Sequence, residues 1–596
     1  MPDMVASESA AFGPRLLDSG HTLFRFWAPG VDSVGLCVND DAPVAMQMRG
    51  DGWYEAEADC GAGARYQFKL PSGDVVPDPA SRLQDGDAND ASIVVDPAAF
   101  AWRETAWKGR PWHETVIYEL HLGAMGGFSG VTADLPRLAN LGVTAVELMP
   151  IADFMGGRNW GYDGVLPYAP DTSYGTPDEL RTLIDTAHGL GLMVFLDVVY
   201  NHFGPDGNYL SSYAPQFFRS DRKTPWGDAI DFERPQVHRF FIDNAIYWLV
   251  DYRFDGLRFD AVHAIEDDAF LLSLAEEVRA AMPPGRHVHL CLENENNDAA
   301  LLNEVATPSR FNAQWADDMH HCLHVLLTGE SEAYYEAFSQ EPARLLARCL
   351  AEGFAFQGEA AGGKDSRGTP SAHLPPTAFI MCLQNHDQIG NRAFGDRLSS
   401  QAHPDALKVA TALLLLSPQI PLMFMGQEWA SKAPFPYFAG FEGELGEAVK
   451  AGRRKEFETF AAFSDEATRE TIPDPIAIET FHSAVVDATE QALDEHADWF
   501  SFHRMLLQLR AREIMPRIPG TGSISAGPLG KTGVVARWKL GDGTQLMILA
   551  NLGADSVPCG ELGVAMPQDW ILFQQGHFDA AVLGGHSIMV LLEAAA

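Results

Sequence analysis

TAFIMCLQNHD, at residues 377–387, predicts a buried strand; a helical segment, PDALKVATALLLLSP (404–418), and a second strand, IPLMFMGQE (420–428), follow it. Both strand segments are almost continuously hydrophobic, as expected of parallel strands that are buried on both faces. The alternation of strand and helix starts near residue 115. It contributes six earlier strand segments: VIYELHLG, VTAVELMP, LMVFLDVVY, FDGLRFDAV, HVHLCLEN and FNAQWADD.

Eight strand–helix units in succession favour an α/β fold, a (β/α)8 TIM barrel with inserted loops. The alternative is a doubly wound open sheet, but no GxGxxG motif follows the first strand. The segment from Asn201 to about Pro235, after the third strand, is rich in Gly, Pro, Ser and aromatic residues. A loop of that length in a compact domain is often functional.

Short alternating segments before and after the barrel predict two flanking β-domains. TLFRFWAP, SVGLCVND, GWYEAEAD and ARYQFKLP are separated by turns rich in Gly, Asp and Pro, which is typical of an antiparallel β-sandwich. TGVVARWKL and TQLMILANLG, joined by a Gly-Asp-Gly turn, predict a C-terminal β-sandwich domain. We therefore expect an N-terminal β-sandwich (1–110), a barrel domain (111–514) and a C-terminal β-domain (515–596).

The composition limits the classes of ligand and compartment. The 596 residues include 42 Lys and Arg and 81 Asp and Glu, which gives a net charge of -39. Nucleic acid and anionic membrane surfaces are therefore poor partners, because binding them depends on basic patches. A neutral ligand rich in hydroxyl groups fits better. The N-terminus lacks the pattern of a signal peptide, no stretch approaches a membrane span, and seven scattered cysteines form no CxxC pair. These features favour a cytoplasmic protein with reduced thiols.

DGLRFDAVHAI, residues 255–265, places two opposite charges within a hydrophobic strand. Because side chains alternate across a strand, Arg258 and Asp260 point to the same face. Two charges on one buried face are costly unless they are paired. The alternative interpretation is a surface turn whose charges are solvated.

Polar residues collect at the C-terminal ends of four predicted strands, which share one face of a (β/α)8 barrel, the face that carries active sites. They are Asp197, Asn201 and His202; Arg258, Asp260 and His263; Glu293; and Asn385, His386 and Asp387. The alternative for each acid is a solvated loop charge or an ordinary ion pair. The alternative for each histidine is a hydrogen-bonded core residue.

Three carboxylates on this face, those of Asp260, Glu293 and Asp387, suggest acid–base and nucleophilic chemistry. Retaining glycosidases use one carboxylate as nucleophile and one carboxylic acid as proton donor. Arg258 would keep Asp260 ionised by Coulomb attraction. Glu293 has to be protonated near neutral pH, which crowding by the other carboxylates would favour.

Four segments, DVVYNH, GLRFDAVH, the stretch around Glu293 and QNHDQIGN, resemble the signature regions of the α-amylase family, glycoside hydrolase family 13. Within that family, NWGYDGV, KTPWGDAIDF and AQWADDMHHCLHVLLTGE resemble the subfamily that releases trehalose from maltooligosyltrehalose. The resemblance implies that Asp260 is the nucleophile, Glu293 the general acid and base, and Asp387 the residue that binds sugar hydroxyls in the transition state.

The resemblance also implies a set of substrate-binding residues: Tyr162, His202, Trp226, Arg258, His263, His386 and Gln388. Tyr162 would stack on the sugar in the cleaved subsite, and Trp226 would form the wall of the neighbouring subsite, although a buried core tryptophan is an equally good interpretation. Asp197 would orient Arg258. The N-terminal domain is similar to a starch-binding-type module.

No cofactor is implied. The Asn201 position binds calcium in many α-amylases, but the acidic residues needed around it are not evident, so we expect no metal there. The expected partners are a maltooligosyltrehalose (α-glucan) substrate and, functionally, a maltooligosyltrehalose synthase. The alternatives are a glycogen-branching enzyme or an α-amylase of the same family and, from another class, a non-catalytic glucan-binding protein.

Overall fold

Eight parallel strands close into a barrel in the computed structural model, and they fall in the eight segments that the hydrophobic pattern predicts. Each strand pairs with the next, and the eighth pairs with the first. Barrel strands 1–8 are Ile117–Leu120, Ala145–Leu148, Met193–Val198, Gly256–Phe259, His289–Leu292, Ala313–Trp315, Phe379–Cys382 and Ile420–Phe424. The prediction of a (β/α)8 barrel is confirmed.

The structure describes residues 11–302, 307–361, 366–559, 570–579 and 581–593. The first ten residues, on which part of the argument against a signal peptide depends, lie outside this range. Among the described helices, none has the length and apolar character needed to cross a membrane.

The barrel strands are hydrophobic on both faces because each face is buried against a different neighbour. Inward-pointing side chains fill the barrel, and outward-pointing side chains pack in the large core shared with the surrounding helices. The inner apolar layers consist of Ile117, Ala145, Met193, Phe195, Cys291, Ala313, Trp315, Ile380, Cys382, Ile420 and Leu422. Most of the charged inward residues lie towards the carboxyl ends of the strands, whereas His289 points inward at the start of barrel strand 5.

Helices follow most of the barrel strands. The second of them shows why the chain turns helical where it does: Thr176 and Glu179 form a reciprocal capping box at its start, and Pro177 occupies its first position. The described α-helices are Gly127–Leu141, Pro177–Gly189, Leu210–Tyr213, Pro235–Val250, Asp268–Ala281, Asp317–Thr328, Pro342–Glu352, His386–Gly390, Leu398–Gln401, Pro404–Leu416, Gly443–Glu456, Glu466–Arg469, Ile478–Ala484 and Asp494–Leu509.

The N-terminal region forms two antiparallel sheets that pack face to face. Stacking of Phe26 on Phe68, with 4.0 Å between ring centroids, lies in the core between them. The first sheet contains Arg15–Leu16, Thr22–Trp27, Gln47–Gly50 and Trp53–Ala58; the second contains Gly35–Val38, Val44–Ala45, Arg65–Lys69, Val75–Val76 and Ser92–Ile93. The sandwich contacts the barrel domain through Phe12 and Phe240, whose ring centroids are 4.9 Å apart.

The C-terminal region also consists of two sheets. One contains Gly522–Leu529, Gly533–Lys539, Gln545–Asn551, Ile571–Gln575 and Ser587–Glu593; the other contains Val557–Pro558, Phe578–Asp579 and Val582–Leu583. Buried Trp538 donates a hydrogen bond from Nε1 to the Leu350 carbonyl at 3.2 Å, which fixes this domain to the end of a barrel helix.

Two hairpins lie in loops at the carboxyl end of the barrel. The first, Ala152–Asp153 with Leu166–Pro170, follows barrel strand 2. The second, Phe218–Thr224 with Gly227–Ile230, lies within the long loop after barrel strand 3. Both hairpins therefore lie where a (β/α)8 barrel places its functional residues.

Candidate active site

The charged residues that the sequence places at strand ends meet at the carboxyl end of the barrel. Asp197 in barrel strand 3 is in register with Arg258 in barrel strand 4. Asp260 follows barrel strand 4 directly, and Glu293 follows barrel strand 5. Asp387 lies in the short helix after barrel strand 7. The shared barrel thus brings together residues that are far apart in the chain.

Arg258 is the centre of this arrangement. Its guanidinium is completely buried and donates from Nη1 to Asp197 Oδ2 at 2.6 Å and to Asp260 Oδ1 at 2.9 Å. Nη2 donates to Glu293 Oε2 at 2.7 Å. The group also lies over the Trp315 ring, 4.2 Å from its centroid. We call Arg258, Asp197, Asp260 and Glu293 the arginine cluster.

The arginine cluster explains why opposite charges occur in the buried strand around Arg258: the charges pair with one another. Burial by itself would lower the pKa of Arg258, but Asp197 and Glu293 beside it raise that pKa well above its usual value. The guanidinium is therefore permanently charged, and both of its terminal nitrogens are paired with carboxylates. The interpretation of this stretch as a solvated surface turn is wrong.

Asp260 is held from two directions. Asn201 donates from Nδ2 to Asp260 Oδ2 at 2.7 Å and to the Asp260 carbonyl at 2.9 Å. Arg258 binds the other carboxylate oxygen, Oδ1. The next residue, Ala261, has a φ of 42°, a left-handed conformation that is rare for a residue with a Cβ. This turn aims the Ala261 amide at Glu293 Oε2, 2.9 Å away. One turn of backbone thus positions both carboxylates.

His386 links Asp387 to a carboxylate deep in the barrel. Its Nδ1 lies 2.5 Å from Glu119 Oε1, and its Nε2 lies 2.8 Å from the Tyr162 hydroxyl and 3.4 Å from Asp387 Oδ2. Burial would lower the pKa of His386, but Asp387 and Glu119 outweigh it and raise the pKa to about 10. His386 is therefore an imidazolium ion at neutral pH.

The aromatic residues expected to contact sugar lie beside these charges. The Tyr162 ring stacks on the His386 ring at a centroid distance of 5.1 Å, and its hydroxyl donates to Asp197 Oδ2 at 2.6 Å. His202 is buried, and its Nε2 lies 3.0 Å from the Tyr162 carbonyl oxygen. Trp226, at the tip of the second hairpin, lies 5.6 Å from the His202 ring and is 47% exposed. The interpretation of Trp226 as a buried core residue is wrong.

His263 lies further out than the other histidines. Its Nδ1 accepts a hydrogen bond of 3.4 Å from the Glu295 amide, and its Nε2 is 4.0 Å from Glu295 Oε2. The hydrogen bonds and ion pairs of His263 are thus with Glu295 rather than with the arginine cluster.

Gln388 points to an acidic residue that sequence reasoning missed. Its Nε2 donates to Asp317 Oδ1 at 3.4 Å, just after barrel strand 6. Burial, and after it the nearby charges of Glu293 and Asp387, raise the pKa of Asp317 to about 7. Asp317 is therefore a further acidic side chain close to the proposed catalytic pair.

Two further acids were missed in the barrel strands themselves. Glu119 in barrel strand 1 supports His386, and Glu147 in barrel strand 2 has both carboxylate oxygens buried without a hydrogen-bond partner among the described residues. Burial, and then the charges of Glu119 and Asp197, raise the pKa of Glu147 well above its usual value. Each is a single acid inside a hydrophobic strand, the same signal that identified Arg258.

Comparisons with known proteins place this site in a family. The family model for the alpha amylase catalytic domain matches residues 80–228, and the model for a domain of unknown function, DUF3459, matches residues 521–590. The malto-oligosyltrehalose trehalohydrolase of Deinococcus radiodurans is 39% identical over 96% of this chain and 94% of its own length. That of Mycobacterium tuberculosis is 36% identical over 91% of this chain and 95% of its own.

The chain belongs to the malto-oligosyltrehalose trehalohydrolase family. A solved structure described as a putative alpha amylase from Salmonella typhimurium is 41% identical, covers 98% of this chain and all of its own, and has a TM-score of 0.92. The pullulanase of Anoxybacillus sp. LM18-11 is 18% identical with a TM-score of 0.70, which shows a common fold alone. This member of the trehalohydrolase family therefore has the overall architecture of the wider α-amylase group.

Proposed function

We propose that this protein hydrolyses the α-1,4 bond next to the terminal trehalose unit of maltooligosyltrehalose and releases trehalose. Membership of the malto-oligosyltrehalose trehalohydrolase family supports the substrate. The observation that supports the chemistry is that the guanidinium of Arg258 binds both Asp260 and Glu293, which places the two carboxylates side by side. Two carboxylates side by side on one rim suit a retaining double displacement.

In the first step Asp260 attacks the anomeric carbon of the glucose that precedes the trehalose unit. The bond from that carbon to the glycosidic oxygen breaks, and Glu293 gives its proton to the departing oxygen. Arg258 and Asn201 each bind one carboxylate oxygen of Asp260, which holds its position during the attack. Trehalose leaves with the proton from Glu293.

In the second step water resolves the covalent glycosyl-enzyme. Glu293, now a carboxylate, removes a proton from the water as its oxygen attacks the anomeric carbon, and the bond to Asp260 breaks. Two inversions at one carbon give net retention. Both carboxylates return to their starting state, so no cofactor is consumed.

Asp387 and His386 form the polar wall for the sugar in the cleaved subsite. The Asp387 side chain is about one-third exposed, as a group that binds sugar hydroxyls has to be, and the imidazolium of His386 lies 3.4 Å from it. Tyr162 provides an aromatic face beside them. Charge that develops on the sugar ring would meet the side chain of Asp387, which His386 already holds in place.

Trp226 is proposed as the wall of the subsite that receives the trehalose end. Its ring is exposed, lies beside His202 and is carried by the hairpin in the long loop after barrel strand 3. Aromatic faces bind sugar rings through apolar C–H groups while leaving hydroxyls free for hydrogen bonds. His263 and Gln388 are proposed as polar contacts on the rim of the same cleft.

Product analysis tests the substrate. Chromatography of the products from maltopentaosyl trehalose and from maltohexaose compares a substrate with and without the trehalose end. We expect rapid release of trehalose from the first and much slower cleavage of the second. Equal consumption of the two would identify a general α-amylase and contradict the proposal.

A glycogen-branching enzyme is the second candidate. The 1,4-alpha-glucan branching enzyme GlgB 2 of Streptomyces avermitilis is 34% identical over 40% of this chain. New α-1,6 branches on a linear glucan would favour that activity. We further propose a cytoplasmic location and functional coupling to a maltooligosyltrehalose synthase, because the substrate has to be made by an enzyme that forms the terminal α,α-linkage.

A further inference from the structure

Three side chains that can bind a metal lie where the barrel domain meets the C-terminal domain. His403 and Asp405 belong to the start of the barrel helix Pro404–Leu416, and His586 directly precedes the last strand, Ser587–Glu593. Each side chain offers one ligand atom, and these atoms all lie within 4.8 Å of one another. We call these three residues the histidine cluster; they are far apart in the chain, and the fold brings them together.

The contact between the two domains sets the position of the histidine cluster. The helix Pro404–Leu416 packs against two strands of the C-terminal sheet, Gln545–Asn551 and Ser587–Glu593. Its residues 409–416 are all buried, as expected of a helix that lies between two layers. The start of this helix and the start of the last strand therefore lie side by side.

The backbone is fixed at both histidines. His403 is the N-cap of the helix, and its carbonyl accepts a hydrogen bond from the Leu407 amide at 2.9 Å. The His586 amide donates to the Gly553 carbonyl at 2.9 Å, and His586 has a φ of 44°, a left-handed conformation. Because both backbones are already ordered, a ligand that binds the two side chains has less entropy to remove.

The side chains of the histidine cluster are accessible and only loosely held. The rings of His403 and His586 face each other with 4.4 Å between centroids and 29° between planes. His403 Nδ1 lies 4.0 Å from Asp405 Oδ2, and these side chains are 57% and 61% exposed. Tetrahedral Zn²⁺ with bonds of about 2.1 Å needs ligand atoms about 3.4 Å apart. Small rotations of exposed side chains supply this approach.

One existing hydrogen bond competes with a metal ion. His403 Nδ1 accepts a bond of 3.2 Å from the Asp405 amide, which caps the helix. A metal bound through this nitrogen replaces that bond, and water can then bind the amide because Asp405 is exposed. The loss is therefore small compared with the formation of a metal–nitrogen bond.

We propose that the histidine cluster binds Zn²⁺, with water in the fourth position. Two imidazole nitrogens and one carboxylate oxygen are ligands that Zn²⁺ prefers, whereas Ca²⁺ and Mg²⁺ prefer sites made of oxygen alone. The positive end of a helix disfavours a cation, but the Asp405 carboxylate in the first turn offsets this effect.

The ion would join two domains outside their hydrophobic interface. Two of its ligands come from the barrel domain and the third, His586, comes from the C-terminal domain. None of them belongs to the arginine cluster, so the inference does not depend on the proposed function. We expect the bound ion to oppose separation of the C-terminal domain from the barrel.

Calorimetry on the full chain tests the proposal without reference to activity. Protein treated with EDTA is dialysed at about pH 7.5, where free histidine is mostly neutral, and titrated with ZnCl₂ by isothermal calorimetry. We expect saturable binding and a rise in Tm of about 2 °C when free Zn²⁺ is about 100 times the Kd. No saturable heat and no change in Tm would overturn the proposal, as would an equal response to CaCl₂ or MgCl₂.

Two variants remove one imidazole each and keep the local backbone. In His586→Asn the left-handed conformation is retained, because Asn adopts it readily. In His403→Asn the start of the helix is retained, because Asn is a preferred N-cap. Loss of an outer-shell partner of a metal ligand already costs about 10–100-fold in affinity, so each variant is expected to weaken Zn²⁺ binding by about 100-fold or more.

His373→Asn is the matched control, since it makes the same substitution at an exposed histidine in a turn of the barrel domain. It is expected to bind Zn²⁺ as the wild type does. Wild-type binding by either His586→Asn or His403→Asn would overturn the assignment. If one of these two variants does not fold, the other and Asp405→Asn decide.

Discussion

The arginine cluster and Asp153, a buried acid in the first hairpin, differ in how a buried carboxylate is balanced. In the arginine cluster, Arg258 binds three acids at 2.6–2.9 Å and is itself completely buried. Asp153 is equally buried, but neither of its carboxylate oxygens has a hydrogen-bond partner in the described part of the chain. The difference teaches that a buried carboxylate is either paired with a fixed cation or, without one, has a pKa that burial and neighbouring acids raise well above its usual value.

The largest expected effect comes from removing the proposed nucleophile of the arginine cluster. Asn is nearly isosteric with Asp, so Asp260→Asn keeps the shape of the site and one of the two hydrogen bonds that Asp260 accepts, but the amide cannot form the covalent intermediate. We expect kcat for trehalose release to fall by at least about 10⁴-fold, measured by chromatography of products. Unchanged turnover would refute the mechanism. Asp41→Asn, which changes an exposed acid of the N-terminal region, is the control and should retain activity.

Removing the positive charge of Arg258 tests directly how the three acids of the arginine cluster are balanced. Arg258→Met leaves Asp197, Asp260 and Glu293 close together with no positive partner. We expect the free energy of unfolding, measured in urea, to fall by about 3–5 kcal/mol. Arg512→Met, at a position that is 69% exposed, should change it by no more than about 0.5 kcal/mol. A loss at position 258 as small as that control would contradict the role of Arg258.

The same substitution should act differently in the arginine cluster and at Asp153. Asp197→Asn removes a carboxyl partner of Arg258 and should destabilise the protein by about 1–3 kcal/mol. Asp153→Asn removes a carboxyl group with no hydrogen-bond partner in the described part of the chain and should leave stability unchanged or raised. Urea unfolding of both variants at neutral pH makes the comparison. Equal losses would show that the two positions do not differ in how their carboxyl groups are balanced.

An effect of a different kind, on pH dependence, is expected at the edge of the arginine cluster. The pKa of His386 is about 10 in the folded chain and near 6.5 when unfolded, so the folded state holds an extra proton between these values. Its contribution is complete below pH 6.5 and is lost as the pH rises towards 10.

The measurement is the free energy of unfolding as a function of pH for the wild type and His386→Gln. Over this window wild-type stability should fall more steeply, by up to about 1.4 kcal/mol per pH unit. If the two curves of unfolding free energy against pH are parallel, His386 has the same pKa in the folded and unfolded chain, which would contradict the prediction.

The barrel could be predicted because each strand has a local signal, a short hydrophobic run, and because the topology is closed. Knowing that strand ends share one face was enough to bring Asp260, Glu293 and Asp387 together. Glu119 carries the same signal, a charge inside a hydrophobic strand, and could have been found in this way. Asp317 follows its strand by only two residues and also fits the rule.

The burial of Asp153 could not be predicted by that rule. Asp153 lies in a loop hairpin rather than at the end of a barrel strand. An isolated acid in a turn of an acidic protein is indistinguishable in sequence from a solvated surface charge. Only the packing of the sandwich against the hairpin removes Asp153 from water, and packing between domains leaves no periodic pattern in the sequence.

The left-handed turn at Ala261 has a consequence for how this enzyme could change. Two contacts set the spacing of the proposed nucleophile and the proposed proton donor. The peptide unit that follows Asp260 binds Glu293 through its amide, and Arg258 binds both carboxylates. A β-branched replacement at position 261 would disfavour the turn and displace both groups at once, whereas glycine would permit it. A substitution at position 261 is therefore expected to move the two carboxylates together rather than one at a time.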